Sequence, residues 1–195
     1  MRRRHALLPR FWLMTDERMG DGVLAAINRL PRGRAGVIFR HYRTPLAERR
    51  ALFEAVRRIT QRRRLMLLLA DPPGRARRAR ADGWHGRGRD PGLIHSMAVH
   101  NKHELTAAIR ARANLIFVSP VFPTRSHPGT AALGVIQFGL LARDAPMPVI
   151  ALGGMTAARW RRLRSMGAYG YAAIDAWTGQ QPYCASGQKL NDVPT

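Results

Sequence analysis

Short, wholly apolar runs alternate along this chain with Arg- and Ala-rich stretches of helical spacing. That alternation restricts the fold more than any single motif does. LMLLLA (65–70), LIFV (115–118) and PVIAL (148–152) carry no polar face, the pattern of strands buried on both sides in a parallel sheet. Eight strands are expected: Phe11 to Met14, Gly36 to Phe39, Leu65 to Leu69, Gly83 to His85, Ser96 to Val99, Leu115 to Val118, Val149 to Leu152 and Tyr169 to Ala173. Helices are expected over Gly22 to Leu30, Ala47 to Arg63, Arg75 to Arg80, Lys102 to Arg112, Val135 to Arg143 and Ala157 to Met166. Thr156 suits the N-cap of the last helix and Gly167 its stop. Eight strands with helices between them imply an α/β fold, a compact (β/α)8 TIM barrel. Only Gly86 to His95 separates the fourth and fifth strands, too little for a helix, so the β4–β5 connection is shortened.

The 195 residues suffice for one core. A single barrel domain is expected over residues 1–177, with a polar, aperiodic tail over 178–195 that is expected to be disordered. The lone cysteine, Cys184, lies in that tail and has no partner for a disulfide. No apolar run approaches the roughly 20 residues of a membrane span. The opening MRRRHALLPRFWLM is too short and too broken by Pro9 and Arg10 for a signal peptide, so a cytoplasmic protein is expected.

Charge needs separate treatment. There are 33 Lys and Arg against 12 Asp and Glu, a net +21, which raises a nucleic-acid reading. Nearly all the cations are Arg, however: Lys102 and Lys189 are the only lysines. Abundant Arg and Ala with almost no Lys is the product of a GC-rich coding bias. Aromatic residues are not interleaved with the cations as a base-stacking platform requires. No specific nucleic-acid partner is expected, and a basic, nucleic-acid-associated barrel stays as the third reading.

In a TIM barrel the loops after the strands form one mouth. Those loops carry Asp16, Arg40, Asp71, His85 to Asp90, His100, Ser119 to Gly129, Gly153 and Gly154. Arg, carboxylate and Gly in one place suit phosphorylated small molecules, held by Arg and backbone N–H groups, with Asp available to Mg²⁺. The stretch VSPVFPTRSHPG (118–129) is the most distinctive. Its prolines stiffen a loop bearing Thr124, Arg125, Ser126 and His127, all groups that can hold an anion. Several residues have plainer roles open to them. Asp71 could cap a helix and Asp90, before Pro91 and Gly92, could form a turn. Arg40 could form a surface salt bridge. Gly153 and Gly154 could serve packing alone, and His85 and His100 could be satisfied barrel-end histidines.

From about Phe11 to Trp177 the motifs resemble, in order, the thiamine phosphate synthase / TenI family. LMTD (13–16), VIFRHY (37–42), ADPPGRARRARADGWHGRGRD (70–90), AVHN with Glu104, SPVFPTRSHPG, PVIALGGMT and GAYGYAAIDAW carry the resemblance. It implies transfer of a hydroxymethylpyrimidine diphosphate onto a thiazole phosphate with loss of pyrophosphate. It also implies Mg²⁺ on Asp71 and Asp90, diphosphate contact by Arg40, and His127 in the place of a catalytic Lys. Thr124, Arg125, Ser126, Gly153 and Gly154 would bind the thiazole substrate and its phosphate. The chain departs from the family pattern at Ile38 (Gln in the family), Tyr42 (Lys), Ala70 (Asn), Ala98 (Ser), His127 (Lys) and Asp175 (Ser). Pro120 stands where the tautomerising members carry His. A member that binds a phosphorylated thiazole or pyrimidine without joining them is the alternative.

Overall fold

The computed structural model describes residues 8–124 and 131–178. Eight parallel strands close into a barrel in sequence order. They are β1 (Phe11–Met14), β2 (Ala35–Phe39), β3 (Met66–Leu69), β4 (Gly83–His85), β5 (Ile94–Val99), β6 (Leu115–Val118), β7 (Val149–Leu152) and β8 (Ala168–Ala173). Around them run α1 (Gly22–Arg29), α2 (Leu46–Arg63), α3 (Pro73–Arg78), α4 (Lys102–Arg110), α5 (Gly134–Asp144), α6 (Ala157–Leu163) and α7 (Asp175–Thr178). The (β/α)8 expectation holds, including a β4–β5 connection without a helix. Two elements were not anticipated: a 3₁₀ turn at Glu17–Met19 and the short α7. The expected disordered tail, Cys184 included, lies outside the described residues from 179 on.

The strands alternate between two cores. Trp12, Met14, Ile38, Leu68, Leu115, Phe117, Ile150 and Ala172 fill the barrel interior. Trp12 is its plug: it is fully buried, meets Phe117 edge-on at 5.5 Å, and donates from Nε1 to the Pro9 carbonyl at 2.8 Å. The plug requires Gly36 on the next strand, where an added Cβ would lie 2.4 Å from the Trp12 ring. The outward set packs under the helices, for example Val37, Phe39, Leu67 and Leu69 against Ile27, Phe53 and Val56.

Where the helix between β4 and β5 is missing, two side chains cover the sheet. Trp84 stacks on His95 with ring centres 4.0 Å apart and planes at 2°, and both are buried. His95 Nε2 lies 2.8 Å from the Gly86 carbonyl, which fixes Nε2 as the protonated nitrogen. β5 begins at Ile94, where it pairs with Gly83, rather than at Ser96; the polar His95 interrupts the apolar pattern and hides that start in the sequence.

Helix ends follow local chemistry. Thr156 accepts from Arg159 N at 3.2 Å, and Gly167, at φ 93, ends the 3₁₀ turn that continues α6, as expected. Asn101 caps α4 by accepting from Glu104 N at 2.9 Å, while the Glu104 carboxylate accepts from His100 N at 2.8 Å. Asn101→Ala is expected to cost about 1 kcal/mol. For a chain of this size that lowers the melting temperature by roughly 2–4 °C. Calorimetry checks it, and an unchanged transition would contradict the capping role.

Candidate active site

The C-terminal ends of strands β1 to β7 place seven segments at one mouth. The parallel register sets Met14 beside Ile38, so two residues later Asp16 faces Arg40. Arg40 Nη2 donates to Asp16 Oδ2 at 2.9 Å, and its Nε donates to the Thr15 carbonyl at 2.9 Å. Burial works to raise the Asp16 pKa, but the Arg18 and Arg40 contacts prevail and hold it below the ordinary value. Arg40 therefore forms the salt bridge open to it from sequence. It does so inside the mouth, with its side chain 20% exposed. Among the described residues its Nη1 has no partner.

Asp71 and Asp90 are held by different partners. Arg49 of α2 reaches back to the strand ends, with Nη1 on Asp71 Oδ2 at 2.6 Å and Nη2 on the Arg40 carbonyl at 2.8 Å. Arg75 takes the other Asp71 oxygen at 3.3 Å. Asp71 does not cap α3: the N-cap is Pro72, and Pro73 opens the helix. Asp90 accepts from Arg77 and, at 2.8 Å, from Gly92 N, the turn expected of an Asp-Pro-Gly sequence. Among the described residues no three His, Cys, Asp or Glu side chains come together to hold a metal. The donors that the resemblance assigns to Mg²⁺ are thus already engaged with guanidinium groups, and they do not fit the ion.

His85 projects into the barrel beside Phe117, with Nδ1 2.9 Å from Ser96 Oγ. Burial first, then the positive charges of Arg40 and His95, push its pKa down to about 3. It is a satisfied, neutral histidine at neutral pH. The unfolded chain takes up this proton near pH 6.5, whereas the folded chain resists until about pH 3. In that window the unfolded state binds more protons, so stability falls as pH falls, by up to ~1.4 kcal/mol per pH unit. A melting-temperature profile should decline from pH 6.5 downward, and less steeply in His85→Gln, where the depressed His41 and His95 still contribute; identical slopes in the two proteins would contradict this. His100 is likewise engaged, with Nδ1 2.7 Å from Glu104.

The segment after β6 continues to pair with the end of β7. Val121 N donates to Leu152 O at 2.9 Å and Phe122 N to Gly153 O at 3.2 Å. On its other side Leu133 N and Gly134 N donate to the Pro120 and Val121 carbonyls at 2.8 and 3.1 Å. Gly153 (φ 95) and Gly154 (φ 59) turn against this segment, and a Cβ on Gly154 would stand 2.6 Å from the Pro123 carbonyl oxygen. Among the described residues neither glycine N–H has an acceptor. Arg159 of α6 ties the two loops: it stacks over Phe122 at 4.6 Å and donates to the Gly154 carbonyl. Thr124 ends this described stretch. Arg125, Ser126 and His127 lie outside the described residues. Sequence reading missed Arg49 and Arg159, whose only signal was a basic residue one turn into a helix.

Comparison with known proteins bears on the family and the fold. Residues 12–177 match the family described as thiamine monophosphate synthase. A thiamine-phosphate synthase of Methanococcus vannielii is 23% identical over 194 residues, 94% of each chain. One from Salinispora tropica is 46% identical over 70 residues, 35% of this chain and 34% of that protein. The solved thiamine phosphate pyrophosphorylase of Pyrococcus furiosus superposes with TM-score 0.73 at 22% identity, covering 89% of both chains, a likeness of fold. Among the described residues no helix is long and apolar enough to cross a membrane.

Proposed function

The chain belongs to the thiamine monophosphate synthase family, and on that premise we propose that it joins a hydroxymethylpyrimidine diphosphate to a thiazole phosphate. The observation that carries the reading is the contact between its two most distinctive motifs: the Gly153–Gly154 turn packs against Phe122 and Pro123 of the proline-stiffened loop. Two N–H groups with no acceptor among the described residues are then offered to the substrate phosphate beside a rigid clamp, the donor arrangement that phosphate takes up.

In the proposed reaction the C–O bond to the diphosphate breaks, and its electron pair leaves on the diphosphate oxygen. The thiazole nitrogen then adds to the pyrimidine methylene cation, forming the C–N bond. Arg40 is held in aim by Thr15 and Asp16 and stabilises charge as it develops on the leaving group. One such donor is worth roughly 10²–10³ in rate. The buried floor of Ile38, Ala70 and Phe117 keeps water from the mouth's base and strengthens that interaction.

Ile38 and Ala70 also favour the second reading, a binder of phosphorylated ligands, because neither can hydrogen-bond to a substrate. Complementation separates the two. The wild-type gene should restore growth without thiamine to a synthase-deficient host, and Arg40→Ala should not. No growth with well-expressed, folded wild-type protein would favour the binder.

A further inference from the structure

Asp16, Asp71 and Asp90 on the strand-end loops, and Glu104 in the first turn of α4, each already hold a cation. Asp16 carries Arg18 on one oxygen and Arg40 on the other. Asp71 carries Arg49 and Arg75 on its two oxygens, and Asp90 carries Arg77. Glu104 carries Arg87 and His100. The Arg49–Asp71 pair is largely shielded from water, with side-chain exposures of 14% and 11%. A divalent cation at Asp71 would have to displace a guanidinium bonded at 2.6 Å and leave it largely buried without its counter-ion. Such a loss is far more costly than breaking an exposed pair.

The displaced role does not go unfilled. An arginine has five N–H donors. Arg40 spends Nε and one Nη2 hydrogen, and Arg75 spends one Nη1 hydrogen. The remaining donors of both have no partner among the described residues. Beside Asp71, between α2 and α3, lies a groove of ≈ 630 Å³, lined by Arg49, Arg50, Arg75 and Arg78 over Phe39 and Phe53. Arg40 does not line it but is tied to it by Arg49, which bonds both Asp71 and the Arg40 carbonyl. The groove's carboxylates are Asp71 and Glu54, and Glu54 is itself paired with Arg57 at 2.8 Å. Cationic donors therefore exceed local carboxylates without any ion being added.

We propose that this mouth captures a diphosphate without a divalent cation, Arg40 and Arg75 supplying from carboxylate-anchored guanidinium groups the positive charge that a metal supplies elsewhere. The inference rests on the diphosphate-handling function proposed above. Guanidinium suits the task because its planar fork matches phosphate oxygens bidentately and its charge persists at every working pH.

The test is calorimetric titration of the full chain with inorganic pyrophosphate, once in excess EDTA and once in Mg²⁺. The two dissociation constants should agree within about threefold, under half a decade of affinity. Arg40→Ala and Arg75→Ala should each weaken binding by about tenfold in EDTA, the scale of one charge-assisted contact. Binding at least about tenfold tighter in Mg²⁺ than in EDTA would overturn the proposal while leaving the diphosphate reading intact. No binding under either condition would overturn both. A second readout needs no ligand: Mn²⁺ added to the protein should keep the full electron-paramagnetic signal of the free ion. Signal loss that Asp71→Asn abolishes would overturn the proposal.

Discussion

Gly154→Ala is expected to remove most activity while leaving the barrel folded. The residue sits at φ 59, and an added Cβ would lie 2.6 Å from the Pro123 carbonyl oxygen and 2.9 Å from Phe122 Cβ. A left-handed conformation costs a non-glycine residue roughly 1–2 kcal/mol, which the fold can bear. The close approach cannot be absorbed by a side-chain rotation, because Pro123 meets the new methyl with its backbone. The β6 and β7 loops must separate, and the Arg159 bond to the Gly154 carbonyl moves with them. Displacing a positioning loop by about an ångström costs on the order of 100-fold in rate. The check is kcat/KM for thiamine phosphate formation beside a circular-dichroism melt. Activity within a few-fold of wild type would show that these loops need not touch.

Arg49→Ala is expected to be the most destabilising single change at the mouth. It removes the closer and better shielded of the two guanidinium partners of a largely buried carboxylate, two donors to the Arg40 carbonyl at 3.1 and 2.8 Å, and a guanidinium lying 5.5 Å from the Phe39 ring centre. Breaking such a pair from one side costs about 3–5 kcal/mol, and at this chain length the melting temperature should fall by roughly 6–20 °C. Removing both charges is gentler, because no ion is then left stranded. Arg49→Met with Asp71→Leu should therefore recover most of the loss. A double variant as unstable as the single one would assign the effect to packing and not to charge.

These two residues also show what the sequence could and could not disclose. β3, β6 and β7 are legible because both faces are buried, so their apolar runs are unbroken. Gly154 and Arg40 are legible as mouth residues because a barrel brings the residues after its strands together. Arg49 is not. A cation within an amphipathic helix reads as part of a solvated face, and only the crossing of α2 over the ends of β2 and β3 turns it inward. Arg159 is hidden by the same cause. The Arg40–Asp16 pair lies between, since it depends on a register that the strand pattern implies but does not number. The Mg²⁺ assignment of Asp71 and Asp90 came from family resemblance, and resemblance does not register that arginines fill this chain's helix starts. Arg75 and Arg77, both in α3, each take one of those carboxylates.

The central claim is that these residues form a bond between two phosphorylated heterocycles. The most direct measurement incubates the purified chain with hydroxymethylpyrimidine diphosphate and thiazole phosphate, and quantifies thiamine phosphate by fluorescence and pyrophosphate by a coupled assay. Equimolar appearance of both products, lost in Arg40→Ala, is the predicted result. Folded wild-type protein that binds pyrophosphate but yields neither product, with Mg²⁺ or without it, would contradict the claim and leave a binding protein on a synthase fold.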